Sequence, residues 1–216
     1  MTITINQMAA AMPHAAAAGR LTLWYPHIVS NMAKYEISRT APRQAMFLAN
    51  MAEETGELAA QEENLRYSGE RLRQVFPSMF ARDPSLADQL AAQGPEAIAN
   101  YIYADANRPA GYRMGNVSPG DGWKFRGRGG MMTTGRNNYE RLFRAIGLPA
   151  DTDPDRLLEP EIGALSAALY WKTRGCNEMA DLGNFTDAVR AVNGGTINMA
   201  KRLHYLQAFQ NAMAGS

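Results

Sequence analysis

The sequence predicts a mainly α, two-lobed fold with at most one small β-hairpin. Three observations carry this. Apolar residues recur at helical spacing in segments bounded by capping residues and prolines, as in TAPRQAMFLANMAEET. Sustained alternation with a period of two is absent, which leaves room only for a hairpin within 112–128. Apolar residues make up 46 % of the 216, enough for a packed core and far from a disordered composition.

Taken in order, Thr4 or Asn6 is placed to cap a first helix running to Met12, with Pro13 ending it. A second helix covers Arg20 to Tyr35. A third has Thr40 as N-cap and Pro42 in its first turn, and runs through Arg43, Phe47 and Met51 to about Ala59. Two or three short helices broken at Pro77, Pro84 and Gly94-Pro95 are read as a small lobe over 68–111. Residues 1–67 and 112–216 then form the larger lobe. The stretch 107–130 is rich in glycine, and a long loop of this kind in a compact domain is usually functional or flexible. Helices resume over 138–146, 161–174, 185–192 and 198–212.

Composition excludes several functions. The 22 basic and 21 acidic residues leave a net charge of +1, so no nucleic-acid partner is expected. The single cysteine, Cys176, excludes an internal disulfide and reads as a small buried hydrophobe. His14, His27 and His204 have neither HExxH nor paired spacing, so no metal site is expected. No apolar run reaches the roughly 18 residues of a membrane span. The N-terminal segment lacks a basic start and is interrupted by Pro13 and His14, so no signal peptide is expected.

The segment AEETGELAAQEENLRYS concentrates Glu53, Glu54, Glu57, Glu62 and Glu63. On a helix, Phe47, Leu48, Met51, Ala52, Leu58 and Ala59 share one arc. Glu54 stands at the edge of that arc, stacked with Met51 and Leu58. Glu53 points away from it and reads as exposed; Glu57 also lies outside it. Half-burial would raise the carboxyl of Glu54 from about 4.3 toward the ~6–7 of a general acid. An unbroken helix would carry Glu62 into the apolar arc without a partner, so the helix is expected to end near Ala60. A second carboxylate beyond that break would complete an acid–base pair, and the pattern does not choose between Glu62 and Glu63.

Other groups have two readings each. Arg126 and Arg128 in FRGRGG either turn the chain or pair with a substrate carboxylate; the GK[ST] ending of a phosphate loop is missing. Trp123 and Phe125 form either a stacking wall for a ligand or core. Trp24, Tyr25, Tyr170 and Trp171 read as core, and Asp121 as a turn cap. Arg202 either supports the site by pairing with a glutamate or forms a surface pair.

The blocks FLANMAEETGEL, ENLRYSGERLRQVFPSMF, ADANRPAGYRMGN, GDGWKFRGRG, TGRNNY and AVNGG, in this order, resemble glycoside hydrolase family 19 in its phage-endolysin and bacterial branch. The resemblance implies a lysozyme-like fold with a groove between the lobes, and an inverting mechanism using two glutamates. Its H-E-[TS] motif falls on Glu53-Glu54-Thr55, which makes Glu54 the acid. The E-N-L-x-Y block makes Glu63 the base. By the same resemblance Thr134 helps to hold the attacking water, Asn193 binds substrate or water, and Tyr67 lines the sugar groove. An inverting pair stands about 6.5–9.5 Å apart, whereas nine residues of continuous helix would separate the two by about 13.5 Å, so the mechanism also requires the helix break. Two positions depart from the family pattern: Glu53 stands where His is usual, and Met132 where Gln is usual.

The implied activity is hydrolysis of β-1,4 bonds between N-acetylmuramic acid and N-acetylglucosamine in bacterial peptidoglycan, with no cofactor. The protein is expected to be a monomer, made in the host cytoplasm, acting on the wall after release by a separate pore-forming protein. The rivals are a chitinase on the same fold, a non-catalytic peptidoglycan-binding module, and a lytic transglycosylase.

Overall fold

The computed structural model describes residues 1–215, and among them no sheet forms. Two isolated bridges, Glu62 to Arg128 and Arg128 to Thr133, take the place of the hairpin expected within 112–128. The chain divides into two compact units. The first comprises 1–61, 129–132 and 155–216; the second comprises 62–128 and 133–154.

The first unit opens with α1 (Ile5–Ala11), capped by Thr4, whose hydroxyl accepts from the amide of Gln7 while the Gln7 side chain accepts from the amide of Thr4. Pro13 does not simply end this helix. It starts α2 (Pro13–Ala17), because proline at the first position of a helix sacrifices no hydrogen bond. Next come α3 (Arg20–Lys34) and α4 (Ala41–Thr55). Thr40 caps α4 by accepting from the amide of Arg43 at 3.3 Å. The helix ends at Thr55, four residues before the expected Ala59. Gly56, Glu57 and Leu58 follow with φ of 53°, 57° and 64°.

The second unit carries α5 (Gly69–Val75), α6 (Pro77–Phe80), α7 (Ser85–Gln93), α8 (Pro95–Ile102), α9 (Asp121–Lys124) and α10 (Arg136–Ala145). Its core joins Leu65, Leu72, Phe80, Leu90, Ile98 and Ile102. Helix α9 lies so close to α8 that a Cβ on Gly122 would sit 2.3 Å from the carbonyl oxygen of Ala99. On α10, Tyr139 packs against Phe125 and Phe143 with ring centroids 5.6 and 5.9 Å apart. Arg136 pairs with the buried Asp121. These contacts place 112–128 and α10 with the residues expected to form the small lobe, so the second unit is larger than 68–111.

The first unit resumes with α11 (Pro160–Thr173), α12 (Cys176–Asp181), α13 (Phe185–Asn193) and α14 (Met199–Ala214). Helix α12 has no counterpart in the sequence expectation. Helix α4 runs through the middle of this core, with residues 43–52 all buried. Phe47 meets Trp171 of α11 edge-on at 5.7 Å. Trp24 and Ile28 of α3, with Leu206 and Phe209 of α14, complete the packing. The short turn 129–132 belongs here too. A Cβ on Gly130 would lie 2.9 Å from Met51 Cε and 3.0 Å from Ala167 Cβ, so a glycine is what lets the turn approach α4.

Candidate active site

In the first unit, the last turn of α4 presents Glu53 and Glu54 to one guanidinium. Arg202 of α14 has a fully buried side chain. Its Nη2 bonds Glu53 Oε2 at 2.7 Å and also bonds Glu54 Oε1. Its Nη1 donates to Asn50 Oδ1 at 2.7 Å, and its Nε donates to the carbonyl of Ile197 at 3.3 Å. The side chain of Glu54 is 17 % exposed, as its position at the edge of the arc predicts. Glu53 corrects the expectation. Its side chain is only 9 % exposed, because Arg202 and Asn198 reach it from beyond the helix. Asn198 Nδ2 donates to Glu53 Oε1 at 2.8 Å. Asn193, the polar residue selected from sequence, closes α13 half-buried, and the loop it leads into meets the acidic cluster through Asn198. Arg202 is therefore a buried pair and not a surface one.

Glu57 is the second correction. Sequence placed it outside the apolar arc, yet it is 4 % exposed. The left-handed backbone after Thr55 swings it inward. Its Oε2 accepts from the amides of His14 and Ala15 at 2.8 and 3.1 Å, and its Oε1 from the hydroxyl of Tyr205 at 3.2 Å. Burial, and then the neighbouring Glu57, push the Tyr205 phenol up to about 12.

In the second unit, Glu63 is held from several sides. The hydroxyl of Tyr103 donates to Oε2 at 2.6 Å. The amide of Gly127 donates to Oε1, while the amide of Glu63 donates to the carbonyl of Gly127 at 3.0 Å. Burial raises the carboxyl of Glu63 above its ordinary value, and the bonds from Tyr103 and Gly127 and the charges of Arg126 and Arg128 oppose this. Thr134 shares the location: a Cβ on Gly127 would fall 3.1 Å from Thr134 Oγ1 and 3.3 Å from the Glu63 carboxyl. Tyr67 is half-buried and meets Phe76 edge-on at 6.3 Å. Its phenol is raised by burial and then by the charge of Glu63.

A cleft of about 300 Å³ opens beside Glu63, lined by residues 62–66, Pro95 and Trp123. Trp123 lines it. Phe125 does not; it is buried against Tyr139. The two arginines of FRGRGG are also corrected. Arg128 is 2 % exposed, and its Nη1 donates to the carbonyl of Lys124 at 2.9 Å and to the hydroxyl of Tyr139 at 3.3 Å. Arg126 stacks 3.8 Å from the centroid of the Trp123 ring and pairs with Glu62. Both are committed to the loop itself, so neither is offered to a substrate carboxylate. Arg66 is the cation at this cleft that stays uncommitted: it is exposed, and nothing among the described residues pairs with its guanidinium. Sequence reading passed over Arg66 and Tyr103. The ENLRYS block contains the first, but no local spacing ties the second to Glu63, 40 residues away.

No protein-family model matches the chain. A Haemophilus influenzae protein described as a glycosyl hydrolase family 19 domain-containing protein is 36 % identical over 169 residues, which cover 77 % of this chain and 78 % of that one. Chitinase C of Streptomyces griseus is structurally similar with a TM-score of 0.63 at 16 % identity, over 98 % of this chain and 92 % of its own. A class IV chitinase of Zea mays gives 0.52 at 17 % identity, over 99 % and 82 %. Fold and relatives together define a mainly α, lysozyme-like glycoside hydrolase. The chain belongs to glycoside hydrolase family 19.

Proposed function

We propose that this enzyme is an endolysin that hydrolyses the β-1,4 bonds between N-acetylmuramic acid and N-acetylglucosamine in bacterial peptidoglycan. Arg66 is the observation that favours this substrate over neutral chitin. It adds an unpaired positive charge to the cleft beside Glu63, where a lactyl or peptide carboxylate would find a partner. In this reading Glu54 gives its proton to the leaving oxygen as the glycosidic bond breaks. Glu63 takes a proton from water, whose oxygen bonds the anomeric carbon from the opposite face. The proton then passes from Glu63 to solvent and Glu54 is reprotonated. Arg202 holds Glu54 beside Glu53 and fixes the direction in which its carboxyl faces. Glu63, raised by burial and yet hydrogen-bonded as an anion, suits a base. Thr134 borders the same point as Glu63 and would orient the water. Tyr67, Trp123 and Asn193 would contact the glycan. The reading includes a monomer that a separate pore-forming protein releases from the host cytoplasm.

The test uses purified peptidoglycan and chitin oligomers side by side, with the Glu54→Gln variant as control. Lysis of the wall by the wild type and a loss of at least about 100-fold in Glu54→Gln are expected, on the scale of general acid catalysis. Turnover of chitin alone would make the enzyme a chitinase. Anhydro-muramic ends in the mass spectrum of the products would replace hydrolysis with transglycosylation.

A further inference from the structure

The buried Glu57 takes no part in the proton transfers just described. It follows Glu54 by three residues, in a backbone that side chains rarely adopt. Glu57 and Leu58 both have positive φ directly after Gly56, and strained runs of this kind persist only where their surroundings over-determine them. Here the surroundings are explicit. The amide of Glu57 donates to the carbonyl of Ala52 at 2.8 Å, and Arg20 Nε donates to the carbonyl of Glu57 at 3.0 Å. The hydroxyl of Thr55 donates to the carbonyl of Met51 at 2.7 Å and accepts from the amide of Leu58 at 2.9 Å. The carboxylate of Glu57 then ties the turn to α2 through His14 and Ala15, and to α14 through Tyr205. Tyr205 and Arg202 lie three residues apart on α14, on one face of that helix. The end of α4 is thus fastened to α14 twice, by Arg202 to Glu53 and Glu54 and by Tyr205 to Glu57.

We propose that Glu57 is a positioning residue: its carboxylate clamps the left-handed turn that ends α4 and so sets the orientation of the Glu54 carboxyl against Arg202. This rests on the reading of Glu54 as the acid. The clamp needs acceptors toward His14 and Ala15 and any hydrogen-bonding atom toward Tyr205. A glutamine supplies both, with its oxygen facing the amides and its NH2 donating to the Tyr205 oxygen. A charge at Glu57 is therefore dispensable for the clamp, whereas its hydrogen bonds are not.

The experiment compares Glu57→Gln, Glu57→Ala and Tyr205→Phe with the wild type and with Glu54→Gln. Each is assayed on purified wall, well below its own melting temperature. Glu57→Gln should keep kcat within about threefold. Glu57→Ala should lose at least about tenfold in kcat with KM within about twofold, because the acid is misaligned while the glycan contacts remain. Tyr205→Phe, which keeps every other bond of the turn, should lose several-fold in kcat and serves if Glu57→Ala does not fold. Wild-type kcat in Glu57→Ala or in Tyr205→Phe would overturn the proposal. So would a Glu57→Gln variant as impaired as Glu57→Ala, or a loss expressed in KM alone. If Glu54→Gln stays active, the acid assignment falls and takes the clamp's purpose with it. If Glu54→Gln is inactive and the clamp variants are normal, only the clamp falls.

Discussion

Replacing Arg202 with methionine tests the electrostatic logic of the acidic end of α4. Methionine keeps much of the length and apolar stem of the side chain and removes the guanidinium. The two carboxylates it serves, 9 % and 17 % exposed, are then left facing each other without a counter-charge, and Asn50 Oδ1 loses its donor. Breaking a buried ion pair from one side costs about 3–5 kcal/mol. In a chain of this size each kcal/mol lowers Tm by about 2–4 °C, so the first unit should melt roughly 6–20 °C lower. Most of that cost is charge and not lost packing. Adding Glu53→Gln and Glu54→Gln to Arg202→Met should therefore restore most of the lost Tm, although three residues have changed. Thermal unfolding followed by circular dichroism at neutral pH measures all of these proteins. An Arg202→Met variant melting within about 2 °C of wild type, or a triple variant melting no higher than the single one, would refute this account of the site.

Tyr103→Phe removes a bond that favours the anion of Glu63, whose carboxyl burial already holds above its ordinary 4.5. A base works in its ionised form, so the acid limb of the kcat/KM profile should lie above 4.5 in the wild type and move to still higher pH in the variant; a limb that stays in place contradicts the role of this bond. Gly122→Ala forces a Cβ to within 2.3 Å of the backbone oxygen of Ala99, which no side-chain rotation relieves. A loss of about 1–3 kcal/mol in the stability of the second unit is expected from chemical denaturation, and wild-type stability would show that α8 and α9 separate freely.

Much of the molecule is legible in sequence because it is local. The cap at Thr40, the span of α3 and the prolines that punctuate 77–95 follow from signals within a few residues of the elements they mark. So does the half-buried edge position of Glu54, since helical geometry turns the spacing from Met51 into a direction. The block ENLRYSGERLRQVFPSMF and its companions carried the family. What sequence misplaced among the charged groups is set by partners elsewhere in the chain. Glu57 is buried by partners 42, 43 and 148 residues away. Glu53 is drawn in by Asn198, 145 residues on, and by Arg202. Arg126 and Arg128 looked free for a ligand because neither Glu62 nor Tyr139 is near them in the chain.

Sequence alone therefore determined the helical class and the family, and the resemblance it carries named the glutamate pair to be tested. Tertiary structure decided which acidic and basic groups are already matched. A helical pattern fixes the direction in which a side chain leaves its axis, but its ionisation and mobility depend on the groups that distant segments bring within about 3 Å of it, where hydrogen bonds form. That is why Tyr103 became visible only once the chain was folded, and why the partners of Arg202 and the burial of Glu57 were decided only then.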